Sequence, residues 1–165
     1  MQSVNLLSPC DAAYLAGIID GEGTITLTAI HRGENRRPVL SISSTEIALL
    51  EYLHTAIGRG RITRKACTRE HHSASFAYVI NGRQALAVLS QVSPFLRTYK
   101  LERARLLLEE YIASTPRNGR YTAAQQARRS DFEARFSPYP FERHRSQLEL
   151  RSRLDGNHRR CLSLN

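Results

Sequence analysis

From residue 14 to residue 23 the chain reads Tyr14-Leu15-Ala16-Gly17-Ile18-Ile19-Asp20-Gly21-Glu22-Gly23, an apolar helical pattern rich in small residues that ends on two acids set among glycines. Directly after it, Thr24-Ile25-Thr26-Leu27-Thr28 alternates as a strand with one buried face does. Ser8, Pro9 and Asp11 mark the helix start: a hydroxyl cap, a proline at the first helical position and an acid at the positive end of the dipole. Each glycine inside a helix costs roughly 1 kcal/mol relative to alanine, so Gly17 and Gly21 need a reason. With Ala13 and Ala16 they leave one side nearly bare, and close approach of another backbone supplies that reason. Where the helix gives way to the strand, Gly21 and Gly23 are expected to provide permissive backbone angles, with Glu22 pointing outward among exposed carbonyls. Carboxylate and carbonyl oxygens are hard ligands suited to Mg²⁺. Two such helices side by side would bring two Glu22 side chains together, a repulsion that a divalent cation relieves.

The periodicity then changes in a regular order. Residues 24–31 form a first strand, His31 to Arg37 a turn, and Val39, Leu40 and Ile42 alternate with Ser41 and Ser43 in a second strand. Thr45-Glu46 opens a helix with apolar positions Ile47, Leu49, Leu50, Leu53 and Ile57, stopped by Gly58 and Gly60. Arg61 to Lys65 and Ser75 to Ile80 make a second hairpin. Asn81-Gly82 caps a helix with Ala85, Leu86, Val88, Leu89 and Val92 on its apolar face, and beyond Pro94 a longer helix runs from about Thr98 to Ile112. The order αββαββα with a further helix predicts an α+β fold, one antiparallel sheet backed by helices. On parity Thr24, Thr26, Thr28, Ser41, Ser43, Arg61, Thr63, Lys65, Ser75 and Ala77 face away from the core, with Arg32, Asn35, Arg36 and Arg37 at the hairpin tip. Short hydroxyls among bases suit a β-surface entering a major groove.

The 165 residues suit one domain, expected over 1–136 with its core in 9–113, followed by a basic tail over 137–165. The net charge of +9 is uneven: residues 1–23 hold three acids and no base, whereas the strands and the carboxy-terminal third are rich in arginine. An acidic patch beside basic strands fits a metal-dependent enzyme acting on a polyanion. Only Lys65 and Lys100 are lysines. Cys10, Cys67 and Cys161 are widely spaced, and His71-His72 lack a third ligand in reach, so neither a disulfide framework nor a zinc site is indicated. No apolar run reaches membrane-spanning length, and an intracellular protein is expected.

Leu15 to Gly23 resembles the signature of the LAGLIDADG homing endonucleases, with Glu22 where the family carries its metal-binding acid, and it occurs once. The order of elements over residues 9–113 is similar to the family fold, in which the signature helix forms the subunit contact and the sheet a DNA-binding saddle. The resemblance implies a homodimer joined through Ala13, Ala16, Gly17 and Gly21 and a long, near-palindromic double-stranded DNA target. It implies Mg²⁺ at Glu22 and Gly21, with Mn²⁺ or Ca²⁺ able to substitute for binding, and hydrolysis that breaks both strands with short 3′ overhangs. Lys100, at the end of Pro94-Phe95-Leu96-Arg97-Thr98-Tyr99-Lys100, matches the active-site lysine, with Arg97 and Arg103 as fallback. Ser44 stands where many members carry a glutamine that holds the attacking water, and Asp20 has a structural part. The catalytic set is thus Glu22, Lys100 and Ser44. Such enzymes are encoded in mobile introns or inteins, which implies a bacterial cytoplasm or an organelle. Two alternatives use the same scaffold: a maturase gripping intron RNA, and a DNA-binding protein that does not cut.

Overall fold

The computed structural model describes residues 3–29, 34–65, 74–116 and 121–136. Helix α1 (Pro9–Glu22) leads into β1 (Gly23–Thr28) and β2 (Arg37–Ser44), followed by α2 (Ile47–Ile57), β3 (Arg61–Arg64), β4 (Phe76–Asn81) and α3 (Gly82–Val92). A short 3-10 turn (Ser93–Phe95) precedes α4 (Lys100–Glu110), and α5 (Ala123–Phe136) follows. The strands form one antiparallel sheet in the order β1-β2-β4-β3, so the two hairpins join through their second strands. Arg32, Cys67, His71, His72, Cys161 and the tail expected over 137–165 lie outside the described residues. None of the described helices is long and apolar enough to cross a membrane.

Local chemistry explains the element ends. The Ser8 hydroxyl accepts the Asp11 N–H at 3.1 Å and donates to the Asp11 carboxylate at 2.6 Å, closing the amino end of α1. The same carboxylate accepts the Tyr52 hydroxyl at 2.6 Å, which ties α1 to α2. Gly58 ends α2 in the left-handed region at φ 72°. Leu15, Ala16 and Ile19 of α1 meet Ile25, Leu40, Ile42, Tyr78 and Ile80 from the inner face of the sheet, with α2, α3 and α4 completing the core.

Four expectations change. Neither Gly21 nor Gly23 has a positive φ; Gly21 is helical and Gly23 extended, at φ −83°. Gly23 is needed for space, because a Cβ there would lie 2.7 Å from the Ile19 Cα. Val39 belongs to the outer face: it pairs with Thr26 and Asn81, while Pro38 and Leu40 point inward. The fourth helix starts at Lys100 and ends at Glu110 rather than spanning residues 98–112. Finally, the core does not stop at residue 113, since Phe132 and Phe136 of α5 are buried in it and Phe132 meets Tyr111 edge-on at 6.4 Å.

The Gly23→Ala variant is expected to lose about 1–3 kcal/mol of stability, because overpacking against the Ile19 backbone cannot be relieved by a side-chain rotation. Urea denaturation followed by circular dichroism measures it.

Candidate functional site

Glu22 is the last residue of α1, and both it and Gly21 are exposed. The surrounding structure is organised by Asp20 and Lys100. Asp20 accepts the Arg97 N–H at 2.7 Å, the Thr98 hydroxyl at 2.6 Å and the Thr98 N–H at 3.4 Å, so its carboxylate holds the segment that leads into α4. The first residue of that helix, Lys100, is 5% exposed and turns its ammonium back onto α1, donating to the Ile19 carbonyl at 2.7 Å and the Asp20 carbonyl at 2.9 Å. A helix ends with unpaired carbonyls and a negative dipole, and α1 has no base in its own last turn. Lys100 supplies the missing cation from another element. Burial pulls its pKa below the usual lysine value, against the opposing pull of Asp20 and Glu22. The structural part expected of Asp20 is thereby given definite partners, and Lys100 is brought beside the acid with two of its N–H bonds accounted for.

Ser44 is placed differently from its expected part. Its hydroxyl accepts the Glu46 N–H at 3.0 Å, which engages it in the turn opening α2, and it shares strand parity with the inward Ile42. Ser43 carries the hydroxyl on the outer face, one register step beyond the Gly23–Ile42 pair where α1 runs into β1.

The outer face of the sheet follows the expected parity. One register row crosses Thr24, Ser41, Val79 and Arg61; another crosses Thr26, Val39 and Asn81; a third crosses Ser43, Ala77 and Thr63. Thr28 sits opposite Arg37, and the Lys65 N–H reaches the Ser75 carbonyl at 2.8 Å beyond the end of β3. Asn35 and Arg36 are exposed, and Arg37 pairs with Glu34 at 3.4 Å. Ala77 is only 8% exposed, flanked by Ser43 and Thr63, so it floors the face rather than projecting from it. Val39, Val79 and Asn81 share this face and were missed by sequence reasoning; parity alone would have placed them, but apolar side chains on a strand read as core. The cavity of about 400 Å³ lined by His54, Arg59, Gly60, Arg61, Asn81 and Gln84, among others, includes neither Glu22 nor Lys100.

Of the four small residues expected at a subunit contact, Ala13, Gly17 and Gly21 lie exposed at four-residue spacing on α1. Ala16 does not join them, since it is fully buried in its own chain's core. Beyond the helix's own backbone, a Cβ built at Gly17 or Gly21 would meet nothing within 4 Å among the described residues. No group of three or more His, Cys, Asp or Glu able to hold a metal occurs among the described residues.

A motif helix ending on an acid beside a four-stranded antiparallel saddle is the fold of the LAGLIDADG homing endonucleases, and solved structures share it. The chain is similar to the homing endonuclease I-CvuI in complex with its target, with a TM-score of 0.62 at 18% identity over 78% of this chain and 81% of that one. For the homing endonuclease I-TnaI the TM-score is 0.56 at 19% identity over 87% of this chain and 97% of that one. The LAGLIDADG homing endonuclease I-GzeII in complex with a DNA target gives 0.54 at 15% identity, over 78% of this chain and 44% of that one. No protein-family model and no curated protein sequence matches.

Replacing Asp20 by Asn keeps the side chain's size but weakens three hydrogen bonds to residues 97 and 98. It is expected to cost about 1–3 kcal/mol in urea unfolding and to raise amide exchange at Arg97 and Thr98.

Proposed function

We propose that the chain is a homing endonuclease that, as a homodimer, makes a double-strand break in a long, near-palindromic DNA target in support of intron or intein mobility. The observation that carries this reading is the site at the end of α1: an exposed acid, Glu22, next to a buried lysine that two backbone carbonyls hold in place. The I-CvuI complexes with target DNA were obtained in the presence of Ca or Mg, which supports a divalent cation.

The donors present fit such an ion, but incompletely within one chain. The Glu22 carboxylate and the Gly21 carbonyl are hard oxygens at an exposed edge, and a second chain would double them. Bound there, Mg²⁺ would supply Lewis acidity and a lowered water pKa. The protein's own residues do the rest. Asp20 and Lys100 fix the last turn of α1 so that Glu22 is presented in one direction, and the Lys100 charge offsets the repulsion of two adjacent acids and of phosphate oxygens beside them. Ser44, at the end of β2, or its outer-face neighbour Ser43 would order the attacking water. Thr24, Thr26, Thr28, Ser41, Thr63 and Asn81 offer hydrogen bonds to base edges, while Arg36, Arg37, Arg61 and Lys65 offer charge to phosphates or guanine. Arg32 would join them from outside the described residues.

Incubating the protein with a plasmid library of candidate insertion sites, with Mg²⁺ or with EDTA, tests the reading. Cleavage of both strands should need the metal, and Glu22→Gln should slow it by about a thousandfold or more while duplex binding persists. A Glu22→Gln variant that cuts as the wild type does would overturn the assignment, and retention of RNA without any cleavage would favour the maturase.

The dimer has its own measurement. Among the described residues nothing occupies the space over Gly17 and Gly21, so alanine at both positions should leave the monomer as stable or raise it by about 0.5–1 kcal/mol per site. The same change should weaken self-association in sedimentation by at least tenfold, since each methyl group would enter the seam. Unchanged association would remove α1 from the contact.

A further inference from the structure

The proposed chemistry leaves one buried charge unused. Arg129 lies in the middle of α5 and is 1% exposed. Its guanidinium sits 4.8 Å from the centre of the Tyr111 ring and 5.5 Å from that of Phe132. Its Nε donates to Glu133 at 2.7 Å, one terminal nitrogen donates to the Thr115 hydroxyl, and the other donates to the backbone carbonyl of Arg36. Burying a cation so completely is tolerated only because this planar fork finds acceptors in three directions.

The third acceptor has the most informative place in the fold. Arg36 stands at the foot of β2, beside the outward-facing Arg37, and its Nε lies 3.8 Å from the second oxygen of Glu133. Arg129 therefore holds the backbone of Arg36, and Glu133 steers its side chain. That side chain nevertheless remains 51% exposed, free to meet a ligand from outside. We infer that Arg129 and Glu133 are a positioning pair for Arg36: α5 sets where this exposed base stands at the hairpin end of the sheet, at the edge of the face that carries Arg37, and thereby how tightly the outer part of a duplex is held. This rests on the reading of the sheet as a DNA-binding face. Arg129 is enclosed, so any effect it has on DNA must pass through a neighbour. Lysine, a point charge without the fork, cannot reproduce the arrangement.

A double-mutant cycle with Arg36→Gln and Arg129→Lys tests the coupling. Affinity for a fluorescein-labelled 30-base-pair duplex of mixed sequence (about three helical turns) is measured against KCl concentration, with the urea midpoint of each variant recorded. Each single variant should bind about tenfold more weakly and lose about one unit of slope in log K against log salt, and the double variant should be no weaker than either. Independent effects that multiply to about a hundredfold, or wild-type binding by Arg129→Lys, would overturn the inference. Should Arg129→Lys fail to fold, Glu133→Gln takes its place in the same cycle, because that position is partly solvent-exposed. If the wild type binds no duplex at all, the proposed function is what fails. Amide exchange of the DNA-free protein then decides the coupling. Faster exchange over residues 34–40 in the variant, with α1 and α3 unchanged, supports the positioning pair, and unchanged exchange refutes it.

Discussion

The clasp between the end of α1 and the start of α4 is the interaction on which the rest of this architecture depends. A helix that ends at a protein surface carries frayed carbonyls and a wandering last turn. Here the Asp20 carboxylate holds the amides of the incoming segment, while the Lys100 ammonium returns to the carbonyls of Ile19 and Asp20. Two opposite charges, eighty positions apart in sequence, brace the turn that displays Glu22. The lysine acts first at the end of a helix, where it meets two carbonyls. Its lowered pKa and its small exposure have the same origin, burial against the end of α1.

Much of this was legible in the residues. The start of α1 at Pro9, the two hairpins, the stop at Gly58 and the parity of the outer face all follow from signals that act within a few residues: caps, alternation, left-handed glycine. The part played by Asp20 could be stated, but its partners could not, since they come from a segment that only the tertiary fold brings near. Ser44 illustrates a different limit of local signals, for its hydroxyl accepts the Glu46 N–H. Counting along the strand located the right end of β2, yet the choice between Ser43 and Ser44 turned on which hydroxyl opens the next helix. Val39 and Val79 were hidden because hydropathy and parity disagree there, and parity prevails within a sheet whose register is set by its neighbours.

Arg129 lay beyond reach altogether. An arginine in a helix of low hydropathy reads as solvated, and nothing local says that Tyr111, Phe132 and Thr115 will close over it. The aromatic pair Phe132 and Phe136, four residues apart, was the available hint that α5 presses an apolar stripe onto the body. Ending the core at residue 113 leaves that stripe out. The helix is instead a structural member, joined to the core by two phenylalanines and to the foot of β2 by one cation.

The two-faced register of β1, β2 and β4 has a consequence for how such a chain changes over generations. Every second side chain builds the interior, and the intervening ones face solvent with little packing of their own. The exposed threonines and the half-buried serines there can be exchanged for longer residues at little penalty to folding, so this surface is free to drift. A lineage can acquire new preferences for what it touches while the scaffold beneath stays as it was, two inheritances interleaved on a single ribbon of backbone.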